Sequence, residues 1–322
     1  MDDFPKTLTE FRERFPTEES CVDYLVSVRW PDGFECPACR HRKMRHTGRG
    51  LFECGQCRRQ TSATAGTLFH DTRKSLRLWF EAMWHITSQK YGANALGLQR
   101  VLNLGSYNTA WQWLHKLRRA MVRPGRDKLS GTVEVDETFV GGRRSGKRGR
   151  GSENKTLVAV AVEDKSMLSR TGKGIGRIRL RCIPDASAVF LEEFIRSNIE
   201  NGSNIRTDGW NGYNFVSAAG CGHSVVGSRE LVIAHLVASL LKRWLLGTYQ
   251  GAVASKHPDY YLDEFTFRFN RRKSASRGKL FYRLVQQSVL ADPVRRREII
   301  GGADSLRKKK VSGADEPHDV SF

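Results

Sequence analysis

Apolar and polar positions alternate at helical spacing over the first 30 residues. Two stretches, LTEFRERF and EESCVDYLVSVRW, carry the pattern of short amphipathic helices behind an acidic start. Residues 31–69 differ, because Gly, Cys, Arg and Thr are frequent there and apolar runs such as LFEC are short. This composition predicts turns and short strands, and therefore a small β module after the N-terminal helices.

Helical periodicity returns at about residue 75. The run SLRLWFEAMWHIT and the segment 93–104 both predict amphipathic helices. Gly105 and Ser106 interrupt the pattern, and Ser106 can cap a third helix, SYNTAWQWLHKLRRAM. A helix, a short turn and a helix with a basic end are compatible with a helix-turn-helix that enters the major groove of DNA. Three helices that only pack together give the same pattern.

From residue 131 the period changes to that of strands. The segments GTVEVDETFV, KTLVAVAVED and GRIRLRCIP predict three consecutive strands in an antiparallel meander. A helix (ASAVFLEEFIRSNI), two strands (SNIRTDG and HSVVG) and a long helix from about Leu231 follow. This element order is that of a ribonuclease-H-like fold, an α/β class with a mixed sheet, preceded here by the β module and a small helical domain.

The net charge of the chain indicates what kind of partner it binds. The chain has 54 Lys and Arg against 34 Asp and Glu, a formal net charge of +20, which favours a polyanion such as nucleic acid. Because no apolar stretch of about 18 residues occurs and the N-terminus lacks a signal-peptide pattern, we expect a cytoplasmic, nucleoid-associated protein without a membrane partner.

The cysteines predict a metal site. Cys36 and Cys39 form one C-x-x-C pair, and Cys54 and Cys57 form a second, with 14 residues between the pairs. This spacing is typical of a four-thiolate zinc ribbon, whose closed coordination serves folding rather than catalysis. Basic residues around the two pairs can contact phosphates, or they can form a solvated face.

Five segments follow from these patterns. We expect N-terminal helices at 1–30, a zinc ribbon at 31–69, a helical DNA-binding domain at 70–125, a ribonuclease-H-like catalytic domain at 126–300 and a tail at 301–322. The tail is polar and charged without apolar periodicity, which predicts disorder.

Two aspartates are candidates for catalysis. Asp136 lies within a predicted strand, and Asp208 ends another strand just before a turn. If these two strands are neighbours, the carboxylates converge and can hold Mg²⁺ for phosphoryl transfer. The alternative is that Asp136 is a satisfied edge residue and that Asp208 belongs to an ordinary surface turn.

Several phrases together carry a resemblance to a known family. The two C-x-x-C pairs, VEVDETFVGGR, TDGWNGY and LLKRWLLGTYQGAVASKHPDYYLDEFTFRFNRR resemble insertion-sequence transposases that have an N-terminal zinc ribbon and an aspartate-aspartate-asparagine or glutamate core, the ISXO2-like transposases. The resemblance covers roughly residues 20–285. It implies that Asp136 and Asp208 are metal ligands for Mg²⁺ or Mn²⁺, beside a structural Zn²⁺ in the ribbon.

The third metal ligand is where the chain departs from the family. The family pattern His-x-x-x-Ser-Asn-Leu-Lys reads here from His235 to Lys242, so that Leu240 takes the ligand position. Leucine offers no lone pair to a cation. Water or Glu264 could fill the vacancy, and Lys242 remains a catalytic candidate because it can contact a phosphate.

The resemblance implies a mobile-element transposase that binds double-stranded DNA at terminal inverted repeats, acts as a homo-oligomer, and cleaves and transfers strands. Leu240 motivates a second hypothesis, a catalytically inactive DNA-binding remnant or regulator. A third hypothesis is a zinc-ribbon transcription factor with an unrelated β domain. Two other features are open: the basic loop within 143–150 can lie along DNA, and FRFNRRKSASRGKLFYRL can either stack on bases or pack its Phe side chains inward.

Overall fold

The computed structural model describes residues 4–123, 125–141, 155–168, 174–250, 257–274 and 276–300. The chain forms two compact units, which are described separately: residues 1–123 with 273–296, and residues 124–272 with 297–322. Within the described ranges, none of the helices has the length and apolar character needed to cross a membrane. The predicted tail and the basic loop at 143–150 lie outside the described residues.

The first unit is helical around a small ribbon. The caps follow the sequence, since Thr7, Thr17, Ser75, Asn94 and Ser106 each accept a backbone N–H in the first turn of the helix they precede. Its elements are α1 (Leu8–Arg14), α2 (Glu18–Arg29), β1 (Met44–His46), β2 (Phe52–Cys54), β3 (Gln60–Thr61), α3 (Leu76–Ser88), α4 (Ala95–Val101), α5 (Tyr107–Ala120) and α9 (Arg277–Leu290).

Helix α9 belongs to this first unit, although it follows the second unit in the chain. It packs against α2, α3 and α5, and the ring of Phe281, 1% exposed, lies 5.2 Å from Phe11 and 5.5 Å from Phe80. The sequence placed residues 126–300 in one segment, but the structure groups 273–296 with the N-terminal unit. The reason is the apolar face of α9, whose partners are aromatic side chains from the N-terminal helices.

The second unit contains a five-stranded mixed sheet with the order β6-β5-β4-β7-β8. The first three strands in the chain pair antiparallel, which confirms the predicted meander, while β7 pairs parallel to β4 and β8 parallel to β7. The elements are β4 (Thr132–Val140), β5 (Thr156–Asp164), β6 (Ile175–Ile183), α6 (Ala188–Asn198), β7 (Asn204–Thr207), β8 (Gly222–Val225), α7 (Val232–Tyr249), α8 (Pro258–Asn270) and the short α10 (Arg296–Ile300).

Alternation along the strands divides the core into two clusters. On one face, Val133 and Val135 of β4 pack with α6; on the other, Val158 and Val160 of β5 pack with α7 and α8. Because side chains alternate along a strand, Glu134 and Asp136 share the face that looks toward α7. A mixed α/β architecture with helices on both faces is thus established, and its strand order is consistent with a ribonuclease-H-like fold.

The aromatic and basic segment at the end of α8 packs inward. Phe265, Phe267 and Phe269 are all buried, and the guanidinium groups of Arg271 and Arg272 lie 4.1 Å from the ring centres of Phe267 and Phe269, respectively. These rings serve the core of the second unit, as the inward-packing interpretation predicted. They are not available to stack on bases.

Candidate metal centres and catalytic cleft

Four cysteine thiols come together in the ribbon. Ligand atoms of Cys36, Cys39, Cys54 and Cys57 all lie within 4.8 Å of one another. The sulfurs of Cys36 and Cys57 are 3.6 Å apart, and those of Cys39 and Cys54 are 3.5 Å apart. Such a compact set of four sulfurs, two from each C-x-x-C pair, fits a structural zinc ion.

Two tight backbone turns shape this cluster. Arg40 and Arg58 adopt positive φ values of 59° and 61°, and their N–H groups donate to the carbonyls of Cys36 and Cys54. Backbone N–H groups of Cys39 and Ala38 point at the Cys36 sulfur and lower its pKa to about 6. Cys36 is therefore prepared to supply a thiolate, which is the form that binds metal.

The cleft of the second unit arises from unequal strand lengths. Strand β7 pairs with β4 only over Thr132–Glu134, while β4 continues to Val140. Asp136 lies on this extension, and Asp208 follows directly after Thr207, the last residue of β7. Strands β4 and β7 are neighbours, which was the condition for the two aspartates to converge. Both carboxylates border one open space beyond the end of β7, which we call the notch.

This notch is a cleft of about 930 Å³. Asp136 and Asp208 line it together with His235 and Lys155, and apolar side chains also contribute to its lining. Further lining residues are Glu137, Phe139, Leu157, Pro184, Asp185, Ala186, Ser187, Trp210 and Ser228. The cleft thus combines carboxylates with apolar and aromatic side chains in one concave surface, as is usual for a binding site.

His235 contacts the first aspartate directly. It lies near the start of α7, and its Nε2 is 3.1 Å from Oδ2 of Asp136. Burial raises the pKa of Asp136, and the negative charge of Asp208 adds to this effect, although the N–H of Glu137, His235 and Lys242 oppose it. Because the charge of Asp208 contributes to the raised pKa of Asp136, the two carboxylates repel each other, and a cation between them would relieve that repulsion.

Leu240 lies away from these carboxylates. It packs against the apolar cluster between the sheet and α7, and it does not line the cleft. A separation of five residues turns a helix by about 140° relative to His235, so the two side chains cannot share a face. The position that sequence reasoning gave to the third ligand is therefore a packing position, and His235 stands beside Asp136 instead.

Glu264 is also distant from the cleft. It is fully buried on α8, where its carboxylate accepts hydrogen bonds from the Tyr249 hydroxyl at 3.1 Å and from Arg268 at 2.9 Å. A carboxylate held by these two groups is part of the packing between α7 and α8. This placement gives no support to Glu264 as a substitute ligand.

Lys242 lies two helical turns after His235 on the same side of α7. Burial and the nearby Lys155 lower its pKa, whereas the charge of Asp136 raises it. Its ammonium group thus belongs to the electrostatic surroundings of the cleft, which is compatible with the phosphate contact expected for it.

Two further hydrogen bonds hold residues that line the cleft. The hydroxyl of Tyr213, a buried side chain, donates to Oε1 of Glu137 at 2.7 Å. The indole N–H of Trp210 donates to the carbonyl of Ala186 at 2.8 Å. Gly212 permits this contact, because a Cβ there would lie 2.6 Å from that carbonyl oxygen and 2.7 Å from the indole nitrogen. The phrase TDGWNGY therefore builds a rigid wall beside Asp208.

Comparison with known proteins identifies the chain. Residues 16–60 match the transposase zinc-ribbon domain, and residues 128–270 match the ISXO2-like transposase domain. The chain carries both domains of ISXO2-like insertion-sequence transposases. It is also 24% identical over 251 residues to an "uncharacterized protein in transposable element ISH50" of Halobacterium salinarum, an alignment that spans 72% of this chain and 84% of that protein.

The residue of this transposase that sequence reasoning missed is His235. A usable signal was present, because His235 and Lys242 are seven residues apart and so lie on one helical face, whereas Leu240 falls among apolar neighbours on the other. Among the described side chains, only the four cysteines form a compact group of three or more potential metal ligands. The aspartates and His235 are thus arranged around the cleft more openly than a preformed structural metal site.

Proposed function

We propose that this transposase binds double-stranded DNA at terminal inverted repeats and catalyses metal-dependent strand cleavage and transfer on a ribonuclease-H-like domain. The observation that carries the proposal is the single cleft lined by Asp136, Asp208 and His235, in a chain that belongs to a transposase family. Two carboxylates next to an imidazole form a set of ligands suited to Mg²⁺ or Mn²⁺.

When bound, the cation would polarise the scissile phosphate and lower the pKa of the attacking water or 3′-hydroxyl. The residues of the chain do the remaining work. Asp136 on β4 and Asp208, just after the neighbouring β7, would hold the cation through carboxylate oxygens, and His235 would hold it through Nε2. Lys242 contacts the phosphate, and the wall around Trp210 limits the positions that the adjoining nucleoside can take.

The raised pKa of Asp136 supports this assignment. A buried carboxylate next to a second carboxylate is costly to keep ionised without a positive partner, and here desolvation and Asp208 both raise its pKa. A cation in the cleft would remove that cost. His235 and Lys242 offset this rise only in part.

The zinc ribbon and the helices α3–α5 are proposed to hold the DNA ends. The chain has a net charge of +20, and a strongly basic protein gains affinity for DNA from the release of counterions. In the helix-turn-helix interpretation, α5 enters the major groove. Assembly of two or more copies on paired transposon ends is part of the same proposal.

A cleavage assay with oligonucleotide duplexes of the element's own ends tests this function. With Mg²⁺ or Mn²⁺ the wild-type protein should nick the duplex at the repeat boundary, and Asp136→Ala or Asp208→Ala should reduce the rate by at least about 10³-fold, as loss of transition-state stabilisation predicts. Glu192→Ala, which removes a carboxylate from the surface of α6 outside the cleft, is the control. Nicking that survives both aspartate variants would refute the assignment of the site.

A further inference from the structure

A buried glutamate on β4 reaches the first turn of helix α7. Glu134 is 2% exposed, and its Oε2 accepts hydrogen bonds from the N–H groups of Ile233 and Ala234, at 3.0 and 2.9 Å. Its other oxygen, Oε1, accepts from Nη1 of Arg206 at 3.2 Å. Both carboxylate oxygens are therefore committed, one to the helix and one to β7.

Helix α7 depends on this external partner. The first N–H groups of any helix lack a partner within the helix, and the residue that precedes α7, Leu231, provides no side-chain cap. No acidic residue lies in the first turn of α7 itself. Glu134 thus satisfies the N–H groups that a local cap would normally take, and its negative charge interacts favourably with the positive end of the helix dipole.

His235 follows Ala234 directly. Its backbone N–H no longer needs an external partner, because it donates to the carbonyl of Leu231 at 3.0 Å. Glu134 and Asp136 lie two positions apart on the same face of β4, about 7 Å along the strand. The strand therefore contacts the helix end twice, once through Glu134 with the backbone and once through Asp136 with the His235 ring. The first contact sets where the second can form.

We propose that Glu134 is a positioning residue of the metal site, which fixes the first turn of α7 so that the His235 imidazole points at the cation held by Asp136 and Asp208. The inference rests on the proposed function, because it assigns His235 as a ligand. Arg206, which lies 3.2 Å from Glu134 and 3.9 Å from Asp164, holds the glutamate in place and offsets the cost of burying its charge.

Strand β5, which pairs with β4, carries a matched control residue, Glu163. This glutamate is 1% exposed on β5 and pairs with Arg177, and it accepts N–H bonds from Ser130 at 3.2 Å and Arg177 at 2.9 Å. Its position lies opposite Val133 in the sheet. Glu163→Gln therefore removes a charge of the same burial and pairing from the same sheet, but without contact to α7.

The test measures Mn²⁺ affinity by calorimetry on the full chain with the ribbon loaded with zinc and without DNA. Glu134→Gln should weaken Mn²⁺ binding by about 10- to 100-fold, the range for groups that orient a metal ligand, while Glu163→Gln should leave the affinity within about twofold of wild type. Glu134→Asp, which keeps the charge but is one methylene shorter, should show a smaller loss in the same direction and serves if the glutamine variant does not fold.

A double-mutant cycle separates positioning from general loss of structure. If Glu134 acts through His235, then Glu134→Gln in a His235→Ala background should change Mn²⁺ affinity by no more than about twofold. Equal losses in both backgrounds, or an equal loss in Glu163→Gln, would overturn the positioning role. The Asp136→Ala variant distinguishes failure of the proposed metal site from failure of the positioning role. If this variant binds Mn²⁺ as wild type does, the metal site itself is wrong, whatever the effect of Glu134.

Discussion

Replacement of Leu240 by Asn distinguishes the two candidate positions for the third ligand. If residue 240 were the ligand position, Leu240→Asn would restore an oxygen ligand, strengthen metal binding and increase cleavage. The structure predicts the opposite, because Leu240 packs against the apolar cluster between the sheet and α7, and the side chain beside Asp136 is His235, which we propose as the ligand. The expected outcome is a less stable protein with no gain in activity.

The expected loss of stability follows from three contributions. Full burial of a leucine side chain is worth about 1.5–3 kcal/mol, and Leu240 is partly buried, so removal of its packing should cost roughly 1 kcal/mol. Asparagine is a poorer helix former than leucine by about 0.5 kcal/mol. The amide adds a desolvation cost of about 0.5–1 kcal/mol if it cannot reach water. The sum is roughly 2 kcal/mol.

Urea denaturation followed by circular dichroism measures this change, with Leu240→Met as the control of nearly equal volume, for which we expect less than about 1.5 kcal/mol. Mn²⁺ affinity and the nicking rate of each variant are measured at a temperature at which all are folded. Tighter Mn²⁺ binding and faster nicking by Leu240→Asn would refute the placement of His235 as the third ligand. They would also support the hypothesis of an inactive remnant for the wild-type chain.

Three other perturbations have defined outcomes. Since Mg²⁺ prefers oxygen ligands and imidazole suits later transition metals, His235→Glu should raise Mg²⁺ affinity relative to Mn²⁺ by about 10-fold; an unchanged ratio in calorimetry would argue that His235 is not a ligand. Cys54→Ser should unfold the ribbon and release zinc to a chromophoric chelator, because structural zinc supplies about 10–16 kcal/mol of folding energy; a retained zinc equivalent would contradict this. Acidification should weaken Mn²⁺ binding, because the pKa of Asp136 is raised and its proton must leave before the metal binds; Mn²⁺ affinity should therefore rise with pH through that pKa. For the same reason, Asp136→Asn should be more stable than wild type at neutral pH in the metal-free state. An equal or lower denaturation midpoint for Asp136→Asn would disprove this.

The sequence by itself determined the elements and the zinc ligands. The C-x-x-C spacing fixes four thiolates on two turns whatever the rest of the chain does, because each pair is local. Helical and strand periodicities correctly predicted α1–α5 in the first unit, and β4–β6, α6, β7, β8 and the start of α7 in the second, since the apolar period reflects the face that each element buries. They did not predict α8, α9 and α10 as separate helices. Asp136 and Asp208 were identifiable because each is a carboxylate in an unusual place: Asp136 lies within a predicted strand, and Asp208 lies at the end of another.

Tertiary structure decided the relations between distant elements. The grouping of α9 with the N-terminal helices depends on Phe281 finding aromatic partners more than 200 residues earlier in the chain, which periodicity does not encode. The third position near Asp136 depends on the rotation of α7, and that rotation is set by two contacts to β4, from Glu134 to the helix backbone and from Asp136 to His235. A local motif can show which residues could bind a metal, but only packing of the helix on the sheet selects the one that faces it.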